Sequence, residues 1–191
     1  RDSGESETSQ ANGGLSVQEL RDAVDGKISE ALTPDPIVGV DLAFPASLPA
    51  EYITDLPVRL ILYQRLIKMT DLSAIDEMED ELRDRFGPLP WQAQNLLYMT
   101  RLKLEALNAG IEAIVREPDR IVLRLRDDVG GGRRALQRRL GRHAKVGNMQ
   151  IRLDLDRMGT DWEKPLMATV QSMAEFRRQL VAELVGAVAG S

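Results

Sequence analysis

Between Asp76 and Arg85 six carboxylates, Asp76, Glu77, Glu79, Asp80, Glu81 and Asp84, stand against two arginines, directly ahead of the dipeptide Gly87-Pro88. Paired carboxylates do acid–base chemistry when two of them share a cleft and differ in environment. Here they lie along one face of a helical repeat, so what they offer is recognition. They form either a hydrated charged surface or a preorganised patch for an arginine-bearing partner, where carboxylate–guanidinium pairing orients as well as attracts. Positive charge collects at Arg133, Arg134, Arg138, Arg139, Arg142 and Lys145. That patch could grip phosphates or be a solvated helix face, and no aromatic residues interleave with it to stack bases. The one histidine, His143, has neither a cysteine nor a second histidine to complete a zinc site or a triad, so it reads as a surface or packing residue. No phosphate-cradling G-x-x-x-x-G-K-[ST] loop exists, and Gly130-Gly131-Gly132 lacks the lysine and hydroxyl such a loop needs. The reading is of a chain with no catalytic residue, cofactor or metal, which should not hydrolyse ATP by itself.

The elements that must hold these residues follow from periodicity. Ile75, Met78, Leu82 and Phe86 form one apolar helical stripe, with Glu77, Asp80, Glu81 and Asp84 opposite. Gly87 can adopt the left-handed conformation that closes a helix, and Pro88 and Pro90 cannot continue one, so the helix must end in a fixed corner. Pro57 suits the first turn of a preceding helix whose stripe is Leu60, Tyr63, Leu66 and Ile67. A long helix runs from Pro90 to Gly110 with Trp91, Leu96, Met99, Leu102, Ala106 and Leu107 on its buried side. Period two then takes over. Ile111, Ala113 and Val115 read as one strand, Pro118-Asp119 as a turn, and Ile121, Leu123 and Leu125 as the second strand of a hairpin. Residues 133–140 read as a short basic helix, Met149 to Leu155 as a third paired strand, and Leu166 to Leu184 as a long amphipathic helix. Residues 37–44 are a further strand candidate between Pro36 and Pro45.

Composition sets the frame around these elements. The chain has 191 residues, 43% hydrophobic and 29% charged, with a net charge of −5 and 4% aromatic residues. A core short of aromatics must be built from Leu, Ile, Val, Met and Ala. The fold class expected is α+β: a helical layer packed on a small, mostly antiparallel sheet, with a long C-terminal helix. The acidic balance excludes a generally basic nucleic-acid binder and confines any such contact to a local patch. The absence of cysteine excludes disulfides and thiolate metal sites and points to a reducing, cytoplasmic compartment. No apolar run approaches the roughly 20 residues that span a bilayer, so no membrane partner is expected. Residues 1–14 read as a disordered arm, 15–36 as a linker or leader helix, 37–185 as the compact domain and 186–191 as a flexible tail. The polar start without an initiating methionine reads as a piece of a longer polypeptide.

Arg59-Leu-Ile-Leu-Tyr63-Gln-Arg65-Leu, then Glu81-Leu-Arg-Asp84-Arg85-Phe86-Gly87-Pro-Leu-Pro90, then Asn95-Leu-Leu, resemble the carboxy-terminal domain of the bacterial transcription-repair coupling factor (Mfd) family, over roughly residues 37–185. The resemblance implies a parent that is an ATP-dependent double-stranded DNA translocase of transcription-coupled nucleotide excision repair. Such a parent binds stalled RNA polymerase and recruits UvrA through a UvrB-like module. It implies that the terminal domain is a non-enzymatic autoinhibitory clamp on that UvrB-like module of the same polypeptide, masking its UvrA-binding face in competition with UvrA. Glu81, Asp84 and Arg85 are the positions to which the likeness carries the partner contacts. RNA polymerase and duplex DNA would be met only through other domains of the parent. Two other readings of the residues stand beside it. One is an accessory nucleic-acid-binding domain using Arg133, Arg134, Arg138 and Arg139, with Arg142 and Lys145. The other is a homodimerising scaffold using the last helix.

Overall fold

The computed structural model describes residues 38–189, and the expectations for the arm and leader lie outside them. In chain order the described elements are β1 (Gly39–Asp41), α1 (Leu56–Ile67), α2 (Leu72–Phe86), α3 (Trp91–Asn108), β2 (Ile111–Arg116) and β3 (Arg120–Leu125). After a 3-10 turn at Gly130–Gly132 come α4 (Arg133–Leu140), β4 (Ala144–Val146), β5 (Gln150–Asp154), α5 (Leu155–Met158) and α6 (Glu163–Ala189). The expected α+β class holds.

Five strands form one sheet in the order β1-β2-β3-β5-β4, antiparallel except for the parallel pair β1 and β2. The alternation that announces the hairpin also sorts its faces. Ile121, Leu123 and Leu125 enter the core together with Ile111, Ile114, Ile151 and Leu153. Helices α3, α4 and α6 close that face through Leu102, Ala106, Leu136, Leu140, Leu166, Val170 and Met173. The buried residues of α1 and α2, Leu62, Leu66, Ile75, Met78 and Leu82, lie apart from this cluster and form a helical layer of their own. The joint between α3 and β2 favours a glycine through its backbone conformation, and a side chain there would also have to displace the Arg177 guanidinium. Gly110 has φ +71°, and a Cβ there would stand 1.9 Å from the guanidinium of Arg177 on α6.

Two elements differ from the sequence expectation. Strand β4 is only Ala-Lys-Val, too short to show a period, and takes its place as the sheet edge by pairing with β5. The third expected strand ends at Asp154, because Asp154 caps a single helical turn by accepting from Arg157 N, which turns Leu155 into helix. Helix α6 continues past Gly186 to Ala189. Among the described residues no helix is long and apolar enough to cross a membrane.

Candidate partner-binding site

The corner after α2 is pinned from several directions. Asp71 caps the start of the helix by accepting from Ser73 N, and Gly87, at φ +85°, ends it by donating to Arg83 O. The Tyr52 hydroxyl reaches both Leu82 O and Gly87 O at 3.0 Å, joining the last turn of the helix to the residue beyond it. Burial raises the pKa of this phenol, which keeps its proton for that contact. The Tyr52 ring meets Phe86 edge-on at 6.0 Å, and the Arg85 guanidinium lies 4.9 Å from the Phe86 centroid.

The residues of the R-L-x-x-Y-x-R run on α1 turn out to support this corner from beneath. The buried Arg59 donates to Ile53 O at 2.5 Å, and the buried Tyr63 hydroxyl accepts from Leu48 N at 2.7 Å, so both brace the extended segment that carries Tyr52. Arg65 reaches outward to Glu81 Oε2 at 2.7 Å, while Arg85 takes Glu81 Oε1 at 2.5 Å. Both oxygens of this carboxylate are therefore occupied. Hydrogen bonding from Arg65 foremost, helped by Arg85, holds the Glu81 carboxyl below its ordinary pKa against the opposing effect of burial.

The other flank of α2 is neutralised in the same way. Arg101 of α3 pairs with Asp76 at 2.6 Å, and Arg83 bridges Glu79 at 2.7 Å and Asp80 at 2.8 Å. Of the six carboxylates only Glu77 and Asp84 make no ion pair with a described residue, and both are exposed on the outward ridge. The dense negative charge written in the sequence is thus mostly cancelled by arginines, two of them supplied by neighbouring helices. What remains at the corner is a short bipolar feature: unpaired Asp84 beside Arg85, whose position is set by Glu81. Between α2 and α3, beside Pro88 and Leu89, runs an open groove of about 420 Å³ floored by Leu97 and Tyr98.

Sequence reasoning named Glu81, Asp84 and Arg85 but missed Tyr52 and Arg101, and gave Arg65 no role. Their signals are weak because each acts through a contact distant in sequence. The basic patch divides. Arg133 donates through Nε to Val146 O at 3.0 Å and reaches Asn148, while Gln137 bonds Ala144 O and Val146 N. These two α4 side chains cover the open backbone of edge strand β4, which would otherwise invite pairing. Arg139 is held by Glu175 and Gln179 of α6. Arg134 and Arg138 are exposed without an ion pair to any described residue. His143 is part of the packing. Thr169 spends its hydroxyl proton on Pro165 O, so its oxygen accepts from His143 Nε2 at 3.0 Å, and burial lowers the imidazole pKa. Among the described residues no group of three or more His, Cys, Asp or Glu side chains could hold a metal ion.

Residues 42–130 match the TRCF domain family model, a span that holds the α1 run, the acidic helix and the corner. A transcription-repair-coupling factor of Staphylococcus epidermidis is 34% identical over 140 residues, 70% of this chain and 12% of the relative. One from Staphylococcus haemolyticus is 36% identical over 102 residues, 52% of this chain and 9% of the relative. The chain thus spans about one eighth of the length of the S. epidermidis relative. Among solved structures, the crystal structure of a C-terminal domain of transcription-repair coupling factor matches with a TM-score of 0.61 at 20% identity, covering 74% of this chain and 94% of that one.

Proposed function

Taking as premise that this chain belongs to the TRCF domain family, the C-terminal domain of transcription-repair coupling factors, we propose that it is a non-catalytic regulatory domain. It folds back on the UvrB-like module of its parent polypeptide and masks the face that module offers to UvrA. The parent is read as an ATP-dependent DNA translocase of the cytoplasm. RNA polymerase acts on this domain only through the rest of that parent.

The observation that supports this most is the Asp84–Arg85 pair on a braced corner. Asp84 is exposed and unpaired, and the Arg85 side chain is 46% exposed with only one of its donors committed to Glu81. Adjacent charges of opposite sign in a fixed orientation demand a partner with the reverse pattern, which provides selectivity without a large apolar interface. Glu81 positions Arg85 and leaves it little orientational entropy to lose on docking. A tether to the partner module raises the effective concentration, so a small polar contact suffices to stay closed. The same contact opens when a competitor offers enough differential affinity.

The test is to truncate Asp84 and Arg85 to alanine in the full-length protein and titrate UvrA. Apparent UvrA affinity and basal ATPase should both rise. If both stay at the wild-type level, the reading fails.

A further inference from the structure

The sheet has a second face. Strand alternation that sends Ile121, Leu123 and Ile151 into the core turns Arg124, Arg152 and Lys145 the other way, and all three are exposed. Lys145 of β4 stands directly opposite Arg152 of β5 in the register, and Arg124 is paired with Gln150, one step further along the same face. Like charges placed directly across a strand pair repel and destabilise a sheet unless something else is gained. Here neither cation makes an ion pair or side-chain hydrogen bond with a described residue.

Lys145 and Arg152 also border a depression of about 490 Å³ where β3 begins and β5 ends. Arg120 is paired there with Asp119 and Glu117, and Arg157 with Asp154. His143 is committed to Thr169. That leaves Arg142, Lys145 and Arg152 as cations without partners on the rim, a positive site on a chain whose net charge is −5. On the acidic helix, arginines from two neighbouring helices cancel the charge. At this end of the sheet the nearby acids are taken up by Arg120 and Arg157, and these three cations stay uncompensated.

We infer that Arg142, Lys145 and Arg152, extended by Arg124, form a binding track for the phosphate backbone of duplex nucleic acid. The set differs from the exposed α4 cations Arg134 and Arg138. A row of unpaired cations crossing three strands suits a repeating anion, since neighbouring positions on a sheet face are roughly 5–8 Å apart. Duplex is chosen over single strand because no aromatic side chain lies on this face. Phe44 packs in a tilted arrangement against both Tyr98 and Trp162 near the core. Without stacking platforms, contact is limited to phosphates and is independent of base sequence.

The experiment is fluorescence anisotropy of a labelled duplex oligonucleotide titrated with the full chain. The three cations of the rim, Arg142, Lys145 and Arg152, each on one phosphate, predict a log–log salt slope of about −2.7, a loss of about fortyfold in affinity between about 50 and 200 mM salt. The variant R142Q/K145Q/R152Q, made at exposed positions, should abolish the low-salt binding and keep the wild-type melting curve, and R134Q/R138Q should bind like wild type. Several results would overturn the inference: no binding at low salt, equal binding by the triple variant, tighter binding of a single strand of equal length, or equal competition by an acidic peptide of matched charge. The last would mark the track as a protein-docking surface.

Discussion

The acidic helix α2 and the basic end of the sheet each carry a concentration of like charge in sequence, yet they differ in what the charge is free to do. On α2, Arg65 and Arg85 hold Glu81, Arg101 holds Asp76, and Arg83 holds Glu79 and Asp80. On the sheet, Lys145 and Arg152 face each other without a counter-ion. Charge density read along a chain is therefore a poor guide to charge available for binding. The first region spends most of its charge on holding a corner in shape and leaves Asp84 without an ion pair to a described residue. The second keeps its charge uncompensated, which costs stability and is consistent with a ligand.

That contrast can be broken at four places. The stiffness of α2 rests on its apolar stripe more than on its ion pairs, so Leu82→Ala, at a fully buried position, should cost about 2–5 kcal/mol by chemical denaturation and loosen the corner entirely. Tyr52→Phe removes only the hydroxyl that ties Leu82 O and Gly87 O, and should cost about 1 kcal/mol, with faster amide exchange confined to the last turn of α2.

Glu81→Gln tests the ion network itself. The folded carboxyl lies below its ordinary pKa, so its stabilisation is present above the unfolded value and is lost as pH falls through the lower folded one. The variant should be less stable than wild type near neutrality by about 0.5 kcal/mol, discounted for partial exposure, and the two should converge in acid. A gap that widened in acid would contradict the assigned pairing.

Arg152→Gln is the smallest effect and has the opposite sign. Relief of repulsion from Lys145 should leave stability unchanged or raise it by up to about 0.5 kcal/mol. Clear destabilisation would mean that this cation is structurally paired after all.

Much of this architecture was legible in the sequence. The stripe Ile75, Met78 and Leu82, the Gly87-Pro88 stop, the hairpin alternation and the α+β class all depend on local periodicity and backbone preference, which neighbouring residues alone determine. Strand β4 was not legible, because three residues carry no period and Lys145 looked like part of a basic helix face. The parallel placement of β1 beside β2 depends on a crossover through α1–α3, not on its own residues. How the carboxylates of α2 divide between paired and unpaired was not legible. That division depends on Arg65, Arg101 and Tyr52 arriving from other elements, and no local pattern encodes which carboxylate each will meet.

The central claim is that the Asp84–Arg85 corner and UvrA compete for one face of the UvrB-like module. The most direct measurement is an equilibrium titration of this chain, added in trans, against a preformed complex of that module with labelled UvrA. The wild-type chain should displace UvrA, and a chain carrying Asp84→Ala and Arg85→Ala should not. A ternary complex in which the chain and UvrA occupy the module together would contradict it.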